Sequence, residues 1–246
     1  MILQSLSQLG YMGGGMSSGY MIIGFIGMLA STLVGQLLKS RFNKFSRTPI
    51  MLSGAEVAER MLAENGISDV RIISTPGRLT DHYNPGNKTV NLSDVVYNER
   101  NVAAAAVAAH EVGHAIQHAT AYSWLTMRSR MVPVLSFGSG MAPWIISIGL
   151  GLMYSENALG PIATMIGIAL FGLTTLFSVI TLPVEFDASK RALDWIETSG
   201  VMGGMKHSQA KSALNAAAMT YVVSALASLA QLLYFIMRFM NAKRRD

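Results

Sequence analysis

Between Tyr20 and Leu38 the chain carries no charged side chain. A helix of about nineteen residues is just long enough to span a hydrocarbon core. Met131 to Tyr154 and Ile162 to Val184 are equally free of charge, and Ala216 to Met240 is apolar up to Arg238. These runs predict a mainly α membrane protein with three to four transmembrane helices. The composition agrees: charged residues make up 13% of the 246 residues, against about 25% in an ordinary soluble domain, and the mean hydropathy is +0.37. The net charge of +5 is clustered. Lys39, Arg41, Lys44 and Arg47 follow the first run, as expected on the cytoplasmic side of a span. We read these residues as topology signals, and expect no nucleic-acid partner. There is no cysteine, so any metal must be held by His, Asp or Glu.

Residues 1–19 are Gly-, Ser- and Met-rich and read as an uncharged lead-in lacking the basic start of a secretory signal. Transmembrane helix 1 is expected over 20–38, with the N-terminus outside. Residues 39–101 read as a cytoplasmic α+β subdomain. Ser53-Gly54-Ala55-Glu56 is a capping box, and Gly66 is a stop just past the helix that follows. Val70 to Ile73 is a short strand. Leu79 to Ser93, with Asn84-Pro85-Gly86-Asn87 at its turn, reads as a strand, turn, strand pattern in a small antiparallel sheet. Its edge either pairs with an extended substrate or only covers the core.

The alanine-rich run that follows, expected to be helical from near Asn98 to near Tyr122 with the zinc-binding active helix at 102–122, carries His110-Glu111-Val112-Gly113-His114. On a helix, positions i and i+4 share a face, so His110 and His114 can turn their imidazoles to one metal ion. Glu111 beside them can act as a base toward water. Two imidazole ligands and one carboxylate base are the core of a zinc hydrolase. His118 continues the spacing, but one turn of helix rises about 5.4 Å, too far for a third ligand from the same straight helix. We expect it to pack or hydrogen-bond locally.

Residues 131–184 read as a transmembrane hairpin. Its turn, Ser155 to Pro161, has no Lys or Arg and belongs outside. Just past the hairpin stands Pro183-Val184-Glu185-Phe186-Asp187. A carboxylate placed there, opening a polar helix, suits a third metal ligand. Glu185 is favoured, with Asp187 as its competitor. A third-ligand helix and loop is expected over 185–215, and a fourth apolar helix over 216–240. Whether that last helix crosses is open, because its basic tail would then lie outside.

With these motifs in view, the chain resembles the YugP-like neutral zinc metallopeptidases of bacterial membranes. The likeness rests on His110 to Gln117, Pro183 to Ser189 and the Leu79 to Ser93 hairpin. It also looks like a compact relative of the HtpX and Ste24 membrane proteases. The resemblance implies a zincin-like active helix with Zn2+ as cofactor, His110, His114 and Glu185 as ligands and Glu111 as base. One departure stands out. The larger proteases carry an Asp four residues after the ligand Glu, in support of a zinc-bound His, and here that position is Ser189. Asp187 is the substitute considered.

The expected function is zinc-dependent hydrolysis of peptide bonds in membrane or membrane-associated proteins, by a multi-pass plasma-membrane enzyme with a cytoplasmic active site. His207, Tyr221 and Arg191 are candidates to stabilise the oxyanion. Two rivals are an intramembrane-cleaving protease and a non-catalytic zinc-containing scaffold. The expected partners are a polypeptide substrate and the lipid bilayer. Gly- and Ala-rich membrane faces also suit a homo-oligomer or a membrane protein complex.

Overall fold

The computed structural model describes residues 18–138 and 140–244. Its elements run in the order α1 (Ser18–Phe45), α2 (Gly54–Glu64), β1 (Arg71–Thr75), β2 (His82–Asn84), β3 (Thr89–Ser93), α3 (Asp94–Asn98), α4 (Val102–Ala119), α5 (Ser123–Gly138), α6 (Ala142–Tyr154), α7 (Gly160–Thr198) and α8 (Met205–Lys243). Three of these helices, α1, α7 and α8, are long and apolar enough to cross a membrane. The protein is therefore a mainly α membrane protein with a small sheet. Ser18 and Gly19 already belong to α1; the rest of the expected lead-in lies outside the described residues.

The chain divides into two compact units. One is built from Leu33–Arg128 and Ile180–Tyr221. Its core gathers Val57, Met61 and Leu62 of α2, Val90 and Leu92 of β3, the alanines of α4 and Ile196 of α7. Helix α2 starts where its capping box predicts: the Ser53 side chain accepts from the Glu56 N–H, and Glu56 accepts from the Ser53 N–H. Gly66 follows at φ +69°, a conformation glycine adopts without strain. Arg100 adds a two-pronged ion pair to Glu56, tying the approach to α4 back onto α2.

The sheet corrects one expectation. Its strand order is β1-β3-β2, with β2 antiparallel to β3 but β1 parallel to it. The sheet is mixed, not antiparallel. The loop after β1, with Gly77 and Leu79 both at positive φ, reverses the chain and delivers β2 to the far edge of β3.

The active helix starts at Val102, not near Asn98, and stops at Ala119, short of Tyr122. Residues near Asn98 form the separate α3, the chain extends through Glu99, and Asn101 caps α4 by accepting from the Ala104 N–H at 2.9 Å. Ala121, at φ +50°, ends it before Tyr122. Most of α4 is buried, because alanine lets neighbouring backbones come close on every side.

The second unit holds the described residues up to Thr32, Ser129–Val179 and those from Val222 on. Its packing rests on small residues. A Cβ at Gly149 would stand 2.5 Å from the Thr164 backbone, and one at Gly167 2.8 Å from that of Ile146. Phe171 and Phe235 meet edge to face, with Tyr20 beside Phe235. Many large apolar side chains, Ile22, Phe25, Trp144 and Ile166 among them, are left exposed, as lipid-facing surfaces are. The first arm of the expected hairpin is not one continuous span. It is the helix pair α5 and α6, and α6 begins with Pro143 in its first turn, where the missing proline N–H costs nothing.

Candidate metal centre

Helix α4 sets His110 and His114 one above the other, with ring centroids 4.8 Å apart and ring planes at 85°. Opposite them stands Glu185. Its Oε2 lies 3.3 Å from the His110 Nε2 and 3.6 Å from the His114 Nε2. That oxygen is buried and has no hydrogen-bond partner among the described residues. A buried carboxylate oxygen without a partner is costly. Two imidazole nitrogens aimed at it explain the arrangement if a cation sits among the three. One donor atom from each residue lies within 4.8 Å of the others. The residues thus fit a metal, and two imidazoles with one carboxylate are a zinc donor set.

Glu185 arrives differently from the sequence expectation. It does not open a new helix after Pro183. Helix α7 runs on unbroken through Pro183 to Thr198, so Glu185 is held inside a rigid element. Its distance from the histidines is set by glycine. A Cβ on Gly113 would lie 2.5 Å from the Ala188 carbonyl oxygen and 3.1 Å from its Cα. Only a residue with no side chain lets α4 and α7 touch at this point.

The other nitrogens of both rings are engaged. In the tautomer that leaves each Nε2 free for a metal, the His110 Nδ1–H donates to Ser189 Oγ at 3.1 Å. The His114 Nδ1–H donates to Gln117 Oε1 at 3.0 Å. Gln117 is fully buried, and its amide donates to the Val184 carbonyl and to Asp187 at 2.7 and 2.8 Å. Asp187 in turn accepts from Arg191 at 2.6 Å. Such contacts fix ring orientation and raise the ligand's basicity. The chain therefore meets the missing Asp in two ways: Ser189 itself supports His110, and Asp187 supports His114 through Gln117. Asp187 is thus committed to Gln117 and Arg191, apart from the three-donor group.

Glu111 is buried beside His110 and interacts with His114 and Tyr221. Tyr221 also interacts with Glu185 and Arg128. Burial of His114 opposes its protonation, but Glu185 and Glu111 outweigh this and hold its pKa above the ordinary histidine value. Arg191 turns away toward Asp187 and the Tyr122 ring. His207 is not one of the three donors; its Nε2 is buried without a hydrogen-bond partner among the described residues. His118 pairs with the Tyr83 hydroxyl at 2.7 Å and lies outside the donor group.

Two participants escaped the sequence reading. Gln117 sits three residues past His114, a spacing that puts it on the same face, and that was the available signal. Arg128 reaches Glu185 Oε1 at 3.4 Å. Nothing in the sequence joins positions so far apart.

Comparison with known proteins points to a zinc-binding family. A family profile described as "Putative neutral zinc metallopeptidase" matches residues 20–240. The chain belongs to this family. A relative in Bacillus subtilis (strain 168), named "Putative membrane protease YugP", is 43% identical over 208 residues, covering 84% of this chain and 90% of that protein. No solved structure matches. In this member of the family the three candidate donors come from the two elements that carry the sequence motifs, α4 and α7.

Proposed function

We propose that this protein is a membrane zinc endopeptidase that cleaves membrane or membrane-associated polypeptides at the cytoplasmic face. The observation that carries the reading is the partnerless Glu185 Oε2 facing two Nε2 atoms. His110, His114 and Glu185 would hold the zinc ion, which when bound supplies the Lewis acidity that acidifies water and polarises a scissile carbonyl. Glu111, on the same helix face and buried, takes the proton from water and passes it to the leaving amine. Tyr221, close to both Glu111 and Glu185, is the favoured hydroxyl donor to the oxyanion. Strand β2 is an edge strand that reaches α4 through Tyr83 and His118, and it suits pairing with an extended substrate backbone. The cytoplasmic assignment rests on Lys39, Arg41, Lys44 and Arg47 following the first span.

Glu111→Gln tests the reading. The variant should keep stoichiometric zinc and lose cleavage of an unfolded protein substrate by about 10²–10⁴-fold. Unchanged cleavage would remove Glu111 from the chemistry.

A second reading, cleavage within the bilayer, draws on two positions. Glu185 lies one residue past the uncharged run 162–184, and Tyr221 lies inside the run 216–240. Water-soluble thiol labelling of a cysteine introduced at Ala119 or Thr120 separates the two readings: labelling supports a site open to the cytoplasm, and full protection favours a site in the membrane.

A further inference from the structure

In the unit formed by Leu33–Arg128 and Ile180–Tyr221, a cavity of about 390 Å³ opens between α1 and α8. Its polar lining includes Arg41, Lys211, Ser212 and Asn215, and its apolar lining includes Leu37 and Met219. Among the described residues no Asp or Glu lines it. Arg41 is half-buried and Lys211 exposed. Among the described residues neither makes an ion pair with a carboxylate. Five basic residues of this unit, Arg60, Lys88, Arg100, Arg128 and Arg191, do each meet an acid.

The lining is also graded along both helices. On α1, Leu37 belongs to the uncharged run that ends at Leu38, and Arg41 lies one turn beyond it. On α8, Met219 belongs to the apolar run that begins at Ala216, and Lys211 lies before it. The cationic end of the cavity therefore coincides with the ends of two apolar segments, and its apolar end with the segments themselves. A soluble anion would need only the first half of this arrangement. A molecule with a phosphate joined to hydrocarbon matches both halves.

We propose that this cavity binds the headgroup of an anionic phospholipid. Arg41 and Lys211 take the phosphate, Ser212 and Asn215 donate hydrogen bonds to the headgroup, and Leu37 and Met219 meet the start of the acyl chains. Basic clusters at the ends of transmembrane helices bind acidic headgroups in this way.

The test uses the full chain in neutral detergent, with native mass spectrometry after addition of phosphatidylglycerol or phosphatidylcholine. Phosphatidylglycerol should be retained and phosphatidylcholine stripped. Arg41→Gln should weaken phosphatidylglycerol retention about fivefold, and Arg41→Gln with Lys211→Gln about twenty-five-fold. Lys39→Gln with Lys44→Gln removes as much charge from the same stretch outside the cavity, and should leave retention within about twofold. Zinc content and thermal unfolding check that each variant is folded. If the cavity double variant is unstable, Asn215→Asp replaces it: a carboxylate at this exposed helix position should lower retention by at least the effect of losing one cation. Equal retention of the two lipids overturns the proposal. So does equal loss in the Lys39/Lys44 variant, unaltered retention in Asn215→Asp, or displacement of the lipid by an equal concentration of inorganic phosphate.

Discussion

His114 and His118 sit one turn apart on the same helix, each four residues after another histidine, yet their surroundings share nothing. His114 is buried against α7, facing Glu185 and anchored by Gln117. His118 is exposed and holds the Tyr83 hydroxyl of the edge strand β2. Their sequence spacing is the same. What differs is the element packed opposite: α7 touches α4 at Gly113 and reaches Gln117, whereas His118 faces β2. A histidine becomes a candidate ligand here because a second helix brings it a carboxylate, and the glycine between the two histidines permits that approach.

The comparison can be broken most severely at the point of contact. Gly113→Val drives a branched side chain into the Ala188 backbone, where even a Cβ would be 2.5 Å from the carbonyl oxygen. The helices must part, and we expect the purified protein to hold no stoichiometric zinc while His118 and Tyr83 are untouched. Full zinc occupancy in this variant would show that the close approach does not set the site.

Glu185→Gln keeps the shape but removes the charge that faces the two imidazoles. Zinc retention against a chelator should fall by at least about 100-fold, since one of three protein ligands is lost. Asp187→Asn should be much milder, because Asp187 reaches His114 only through Gln117. Comparable losses in the two would contradict the assignment of Glu185 as the closer group.

Gln117→Ala removes the anchor of the His114 ring. A loss of about 10–100-fold in zinc affinity is expected, with a smaller loss in Gln117→Glu, whose carboxylate can still accept from Nδ1. Isothermal titration of the metal-free protein measures both, and wild-type affinity in Gln117→Ala would separate the amide from metal binding.

At the far end of the helix, Tyr83→Phe should cost about 1 kcal/mol of stability, the worth of an ordinary hydrogen bond. It should leave zinc affinity unchanged. His118→Ala should behave alike. A zinc defect in either would erase the distinction between the two histidines.

The local features of this fold were readable from short stretches. The capping box of α2, the stop at Gly66 and the apolar runs of α1, α7 and α8 are each set by residues close in sequence. The same holds for the His110-Glu111-His114 face, because helical period alone puts those residues together. The mixed sheet was not readable, because strand partners are chosen by how the loop after β1 turns and not by the strands' own pattern. Nor was the continuity of α7 through Pro183: a proline in sequence suggests a boundary, and packing overrode it.

The sequence by itself determined the donor types, their helix faces and the membrane character, all consequences of local period and composition. Tertiary structure alone decided which groups meet. Gly113 lets two helices come into contact, and that contact sets Glu185 before the histidines, Gln117 under Val184 and Asp187, and Ser189 against His110. Arg128 reaches the same carboxylate from a helix whose sequence gives no hint of it. Contacts between residues dozens of positions apart depend on the path of the backbone between them, and no local pattern encodes that path.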